Sequence, residues 1–145
     1  MTRIFAPVLA VALSAAPAYA ASDSEILLKF GLVGKWAVDC TAPPSLANPY
    51  QEFVPWAERE PTREIIAGDA QHDRTMALHD VIFIPPDRLR ISFDQNGIAI
   101  TIILVKEKNR IRPLESTTAK GDTSVSGGIV LANGEPTPWF QKCGD

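Results

Sequence analysis

Two cysteines, two histidine–aspartate pairs and one glutamate set among isoleucines are the residues of this chain whose types and spacing could do chemistry. Cys40 and Cys143 are its only cysteines, and they lack the Cys-x-x-Cys spacing of a redox pair. They read as a structural disulfide, because an even count pairs in an oxidising compartment, and two cysteines leave a single intramolecular connectivity. Closing a loop of about 100 residues is worth roughly 4 to 5 kcal/mol in the chain-entropy model. His72-Asp73 and His79-Asp80 lack the cysteine partner or tight histidine spacing of a metal site. There is no Gly-x-Ser-x-Gly elbow to present a nucleophile, and no glycine-rich phosphate loop. The residues therefore predict no metal, no cofactor and no catalysis, and the chemistry left open is binding.

Binding candidates emerge from register. If Asn96-Gly97 and Lys108-Asn109 are two-residue hairpin loops, counting outward pairs Leu89 with Leu104, Ile91 with Ile102 and Phe93 with Ile100. In the next hairpin it pairs Leu104 with Pro113, Ile102 with Glu115 and Ile100 with Thr117. One face then carries Leu89, Ile91, Phe93, Ile100, Ile102, Leu104, Ile111, Pro113, Glu115 and Thr117, and this is the expected interior. On it, Glu115 is either a polar anchor in an apolar ligand cavity, as binding pockets use, or is returned to solvent by a bulge at Pro113. An isolated buried carboxylate would cost several kcal/mol, which makes the two readings exclusive. The opposite face carries Arg88, Arg90, Ile103, Val105 and Arg112, with Arg88 and Arg112 flanking Val105 about 10 Å apart, two strand spacings. That face is a candidate anion patch, set against ordinary solvated arginines, and Ile103 and Val105 on it are either covered by the N-terminal helix or mark a candidate protein interface.

The elements that must position these residues are strands. Leu32 to Cys40 reads as the first, followed by a proline-rich loop from Thr41 to Pro49. Further runs at about Tyr50 to Trp56, Thr62 to Ala67, Thr75 to Ile84, Arg88 to Asp94, Ile98 to Lys106, Arg110 to Thr118, Thr123 to Leu131 and Thr137 to Cys143 are separated by turn-forming residues. Before them, Ser22-Asp23-Ser24-Glu25 supplies helix caps and Gly31 a stop, so one short helix is expected. The fold class predicted is all-β, an antiparallel up-and-down (meander) barrel of eight or nine strands with a short N-terminal helix. With nine, the first and last strands run the same way and their ends bring Cys40 to Cys143; with eight, the tail must fold back.

Residues 1 to 20 have the build of a cleaved signal peptide: Arg3, an apolar run from Ile4 to Leu13, and Ala18-Tyr19-Ala20 before the expected cut. The expectation is a periplasmic or secreted chain, a single domain over 21 to 145. That portion holds all 17 acidic residues against 13 Lys and Arg, a formal charge of −4, which disfavours nucleic acid. It also contains no apolar run of membrane-spanning length.

Gly34-Lys35-Trp36 resembles the calycin superfamily, whose lipocalin-like barrels begin with a helical turn and a strand bearing Gly-x-Trp. The resemblance implies a barrel whose cup binds a small apolar molecule, with Trp36 packed at the closed end. The last strand lacks the arginine that lipocalins place over that tryptophan. The two ends, Trp36 to Cys40 and Thr137 to Cys143, also resemble a group of small exported bacterial proteins. A further likeness is to periplasmic barrels that inhibit metalloproteases through the segment before the first strand, here residues 21 to 31, although the disulfide of those inhibitors closes a short early loop. The expected function is a non-catalytic exported binding protein for a small apolar or amphipathic ligand. The alternative is a protein-interaction module, such as a periplasmic protease inhibitor or an envelope structural protein.

Overall fold

A computed structural model describes residues 21–144, and the expected signal peptide lies outside the described residues. Helix α1 spans Asp23–Phe30 and is fixed at both ends by its own sequence. Ser22 Oγ accepts the Glu25 N–H while Glu25 Oε2 accepts the Ser22 N–H, a reciprocal capping box. Gly31, in the left-handed conformation, returns its N–H to the carbonyls of Leu27 and Leu28. Ten strands follow: β1 Gly34–Ala37, β2 Tyr50–Val54, β3 Thr62–Ile66, β4 Arg74–Ile84, β5 Arg88–Gln95, β6 Ile98–Glu107, β7 Arg110–Thr118, β8 Thr123–Ser126, β9 Ile129–Val130 and β10 Phe140–Lys142.

All pairings are antiparallel between sequence neighbours, except that β10 bridges β1 and β7. β1 to β7 together with β10 thus close an eight-stranded barrel, and β8 and β9 form a hairpin appended to it. The expected strand over Thr123 to Leu131 is split because Gly127 and Gly128 both take positive φ, at 59° and 78°, and reverse the chain. The expected final strand from Thr137 is shorter and begins at Phe140. Pro136 and Pro138 offer no N–H to a ladder. Instead, Thr137 Oγ1 donates to the Pro113 carbonyl at 2.7 Å.

The β5–β6 register follows the expectation residue for residue, around an Asn96-Gly97 turn with both φ values positive. The β6–β7 register does so from Glu107↔Arg110 to Leu104↔Pro113 and then breaks. Ile103 pairs with Glu115, leaving Leu114 as the extra residue of a bulge. The bend has a use: β7 pairs with β10 through Arg110 and Ile111, and with β8 through Ser116 and Thr117.

Because β1 and β10 are antiparallel, strand direction does not bring the cysteines together, as the nine-strand reading required. It is the chain leaving β1, bent at Val38, that carries Cys40 back to Cys143, rather than a returning tail. The two are bonded with their Cα atoms 5.3 Å apart, across a sequence separation of 103.

The interior is packed with side chains. Trp36, Phe53, Leu78, Leu89, Ile91, Phe93 and Ile111 are buried together with Leu27 and Leu32 from α1 and the segment after it. α1 seals that end: Trp36 Nε1 donates to the Leu32 carbonyl at 2.7 Å, Ser24 Oγ to the Trp56 carbonyl at 3.0 Å, and Lys106 Nζ to the Phe30 carbonyl at 2.7 Å. An isolated eight-residue helix would be marginal in water, so these tertiary bonds and the burial of Leu27 hold it.

Candidate functional site

The end opposite α1 is open, and its rim is built from the β1–β2 loop (residues 38–49) and the β3–β4 loop (residues 67–73). The first loop is held by its own polar side chains. Asn48 Oδ1 accepts the Asp39 N–H at 3.0 Å while its Nδ2 donates to the Asp39 carbonyl at 2.8 Å, and the Tyr50 hydroxyl donates to the Ala42 carbonyl at 2.7 Å. In the second loop, Asp73 Oδ1 accepts the Ala67 N–H at 2.7 Å. The loops meet at Gly68, whose φ is +79° and where an added Cβ would lie 2.6 Å from the Pro44 carbonyl oxygen, so the contact requires glycine.

Between them lies a cavity of about 280 Å³ lined by Leu46, Pro49, Arg63, Ile65, Ala67, His72, Arg74, Met76 and Gln95. Its lining is mixed, five apolar residues beside Arg63, His72, Arg74 and Gln95, and it includes no acidic residue. Arg63 sits directly opposite Phe53 on one neighbour and Met76 on the other, both buried, which places it on the inward face of β3. Its Nε and Nη2 both donate to Gln51 Oε1, at 3.1 and 2.7 Å. Its guanidinium carbon lies 5.3 Å from the centroid of the Phe93 ring. Burial pushes its pKa down to about 10. Among the described residues, neither Arg63 nor Arg74 forms an ion pair. His72 Nδ1 lies 2.6 Å from Asp69 Oδ2, and that hydrogen bond is the main cause holding the Asp69 carboxyl below its usual range.

The residues expected to line a ligand cavity are placed otherwise. Leu89, Ile91, Phe93, Ile102 and Leu104 face inward as expected but are buried in the packed core, Ile100 is half-buried against it, and Trp36 is at the sealed end. None of them lines the mouth cavity, although Phe93 abuts Arg63. Glu115 is not interior: the Leu114 bulge moves it into register with outward-facing Ile103, and its Oε1 accepts the Gly127 N–H at 2.9 Å. On the outer face Arg88 and Arg112 do flank Val105. Val105 is nonetheless buried, Ile103 and Arg90 are half-buried, and Arg88 is exposed. Arg112 joins Arg110 against the Trp139 ring, at 4.7 and 4.2 Å, rather than opening toward a ligand. At the sealed end, Ile26, Lys29, Phe30 and Phe83 border a second cavity of about 260 Å³ beside exposed Leu28 and Ile82. The 21 to 31 segment is helical and docked there rather than projecting.

The candidate-site residues not singled out from the sequence are Arg63 and its partner Gln51. The available signal was period-two alternation, which puts Gln51 with Phe53 and Arg63 with Ile65.

Fold and site together define a closed antiparallel barrel, sealed by a helix at one end and opening at the other into a small basic cup. No family model, curated protein or solved structure matches this chain, so its likeness to lipocalin-like barrels rests on Gly34-Lys35-Trp36 and on the barrel alone. Among the described residues no helix is long and apolar enough to cross a membrane, and no three His, Cys, Asp or Glu side chains group as a metal site.

Proposed function

We propose that this chain is an exported, non-catalytic binding protein of lipocalin-like architecture that holds one small amphipathic molecule in the cup at its barrel mouth. The observation that carries the reading is the asymmetry of the barrel, helix-sealed and filled at one end and open at the other to a cavity that mixes apolar side chains with Arg63, His72, Arg74 and Gln95. Such lining is the usual make-up of small-molecule sites. The residues lining the cup include no serine, cysteine or carboxylate, and their one acid–base group is His72, held by Asp69 at 2.6 Å. Export is supported by the signal-like residues 1 to 20 and by the Cys40–Cys143 bridge, which suits an oxidising periplasm or medium.

Native mass spectrometry of the protein purified from its own host tests this. The expected result is an oxidised chain beginning at Ala21 that carries a small non-covalent adduct. A chain that retains nothing, and that no small-molecule extract of the host stabilises against heat, overturns the binding reading. The alternative, a protein-interaction module such as a protease inhibitor or envelope component, draws on the apolar side chains exposed around Phe83. Nothing about that patch selects a partner, and α1 is not a free inhibitory segment.

A further inference from the structure

We infer that the occupant of the cup is a small organic anion, a carboxylate on a short apolar tail, whose headgroup pairs with Arg63; this rests on the cup being a binding site. A guanidinium has five N–H donors. Arg63 directs two of its N–H groups at a single neutral acceptor, Gln51 Oε1, and none at a carboxylate. Three donors are left on a half-buried cation set among Phe53, Phe93 and Met76, and they are open to solvent where Arg63 borders the cup. Folding a charge into such surroundings without a counter-ion is unfavourable, and a carboxylate arriving from the mouth supplies one in the planar, two-bond geometry that arginine favours.

Gln51 acts as a positioning residue, holding the Nε edge of the guanidinium and leaving its other N–H groups unengaged by protein where Arg63 borders the cup. Arg74, opposite Ile65 at the rim, adds a second positive charge that draws anions in. Leu46, Pro49, Ile65, Ala67 and Met76 give the tail an apolar wall, which inorganic anions cannot use. The cavity's 280 Å³ corresponds to roughly nine waters at ~30 Å³ each, which limits the tail to a short chain or single ring.

The test is calorimetric titration of the full mature protein at neutral pH with octanoate, octan-1-ol and inorganic phosphate, repeated on Arg63→Gln and Arg63→Lys. A charge-assisted hydrogen bond predicts that octanoate binds the native chain about 10- to 100-fold more tightly than octan-1-ol. Arg63→Gln should abolish that preference, and Arg63→Lys should keep part of it. The comparison on the unaltered chain does not depend on any variant folding. Equal affinity for acid and alcohol, or undiminished octanoate binding by Arg63→Gln, overturns the assignment of the anion while leaving the cup as a site. Phosphate binding as well as octanoate overturns the apolar tail. If neither eight-carbon compound binds, this inference falls, and if the host's extract also supplies nothing the binding reading falls with it.

Discussion

If Arg63 is present for a ligand and not for the fold, removing it together with Gln51 should stabilise the empty protein. Burial lowers the Arg63 pKa from the usual guanidinium range to about 10. At about 1.4 kcal/mol per unit this is a handicap on the order of 3 kcal/mol for the charged form. The two hydrogen bonds to Gln51 are made by a charged group and return roughly 1.5 kcal/mol or more each, so a net gain in the empty protein must come from the apolar packing that replaces the pair. Substituting only one partner would strand the other, so the informative variant is Arg63→Met with Gln51→Leu, which replaces both by apolar groups of similar size. Exchanges of this kind are often neutral or stabilising by about 1 to 4 kcal/mol. The expectation here is about 1 to 2 kcal/mol, or roughly 3 to 10 °C in Tm for a domain of this size. Urea and thermal unfolding of ligand-free protein measure it. The sign with pH follows from the same shift. From about 10 up to the usual guanidinium pKa the folded chain binds fewer protons at Arg63 than the unfolded chain, so stability assignable to Arg63 rises across that window. The advantage of the double variant should therefore shrink as pH climbs through about 10. A double variant less stable than the parent by 1 kcal/mol or more, as an order of magnitude for a lost structural contact, would refute the reasoning and make Arg63 a strut.

Other parts of the structure make separate predictions. Cys40→Ser with Cys143→Ser opens a loop with a sequence separation of 103, and urea unfolding should show a loss of up to about 4.7 kcal/mol. Gly68→Ala puts a methyl group 2.6 Å from the Pro44 carbonyl oxygen at a φ of +79°. It should cost about 1 to 3 kcal/mol and speed amide exchange at Ser45 and Asn48, with little change at Ile91 in the core. Lys106→Met removes the bond to the Phe30 carbonyl at the C-terminus of α1, and faster amide exchange at Gly31 and Leu32 should report fraying of the seal. Glu115→Gln, on the outer face, should leave ligand binding unchanged, whereas a tenfold loss, about 1.4 kcal/mol, would contradict its placement.

The parts of the fold legible in the sequence were those with local rules. Asn96-Gly97 permits only a tight hairpin, and so the pairing of Leu89, Ile91 and Phe93 with Leu104, Ile102 and Ile100 could be counted. Cys40 and Cys143 had only each other. The bulge at Leu114 was legible only as an option, because Pro113 permits an irregularity without requiring one. Its necessity is tertiary, since β7 must serve both β10 and β8. Arg63 was hidden for a related reason. The connection from β2 to β3, residues 55–61, is too long to count across, so no register tied β3 to its neighbours and no face could be assigned to Arg63. A local rule also misled at Thr137 to Cys143, where composition suggests a strand but Pro136 and Pro138 delay pairing until Phe140.

The central claim is that the open mouth, and neither the filled interior nor the helix-sealed end, receives the ligand. Amide and arginine side-chain chemical-shift mapping during an octanoate titration tests it most directly. The account predicts saturable shifts centred on Arg63 Nε–H, Ala67, His72, Met76 and Gln95. Saturable shifts centred instead on Ile26, Lys29, Phe30 and Phe83, or none that saturate, would contradict it.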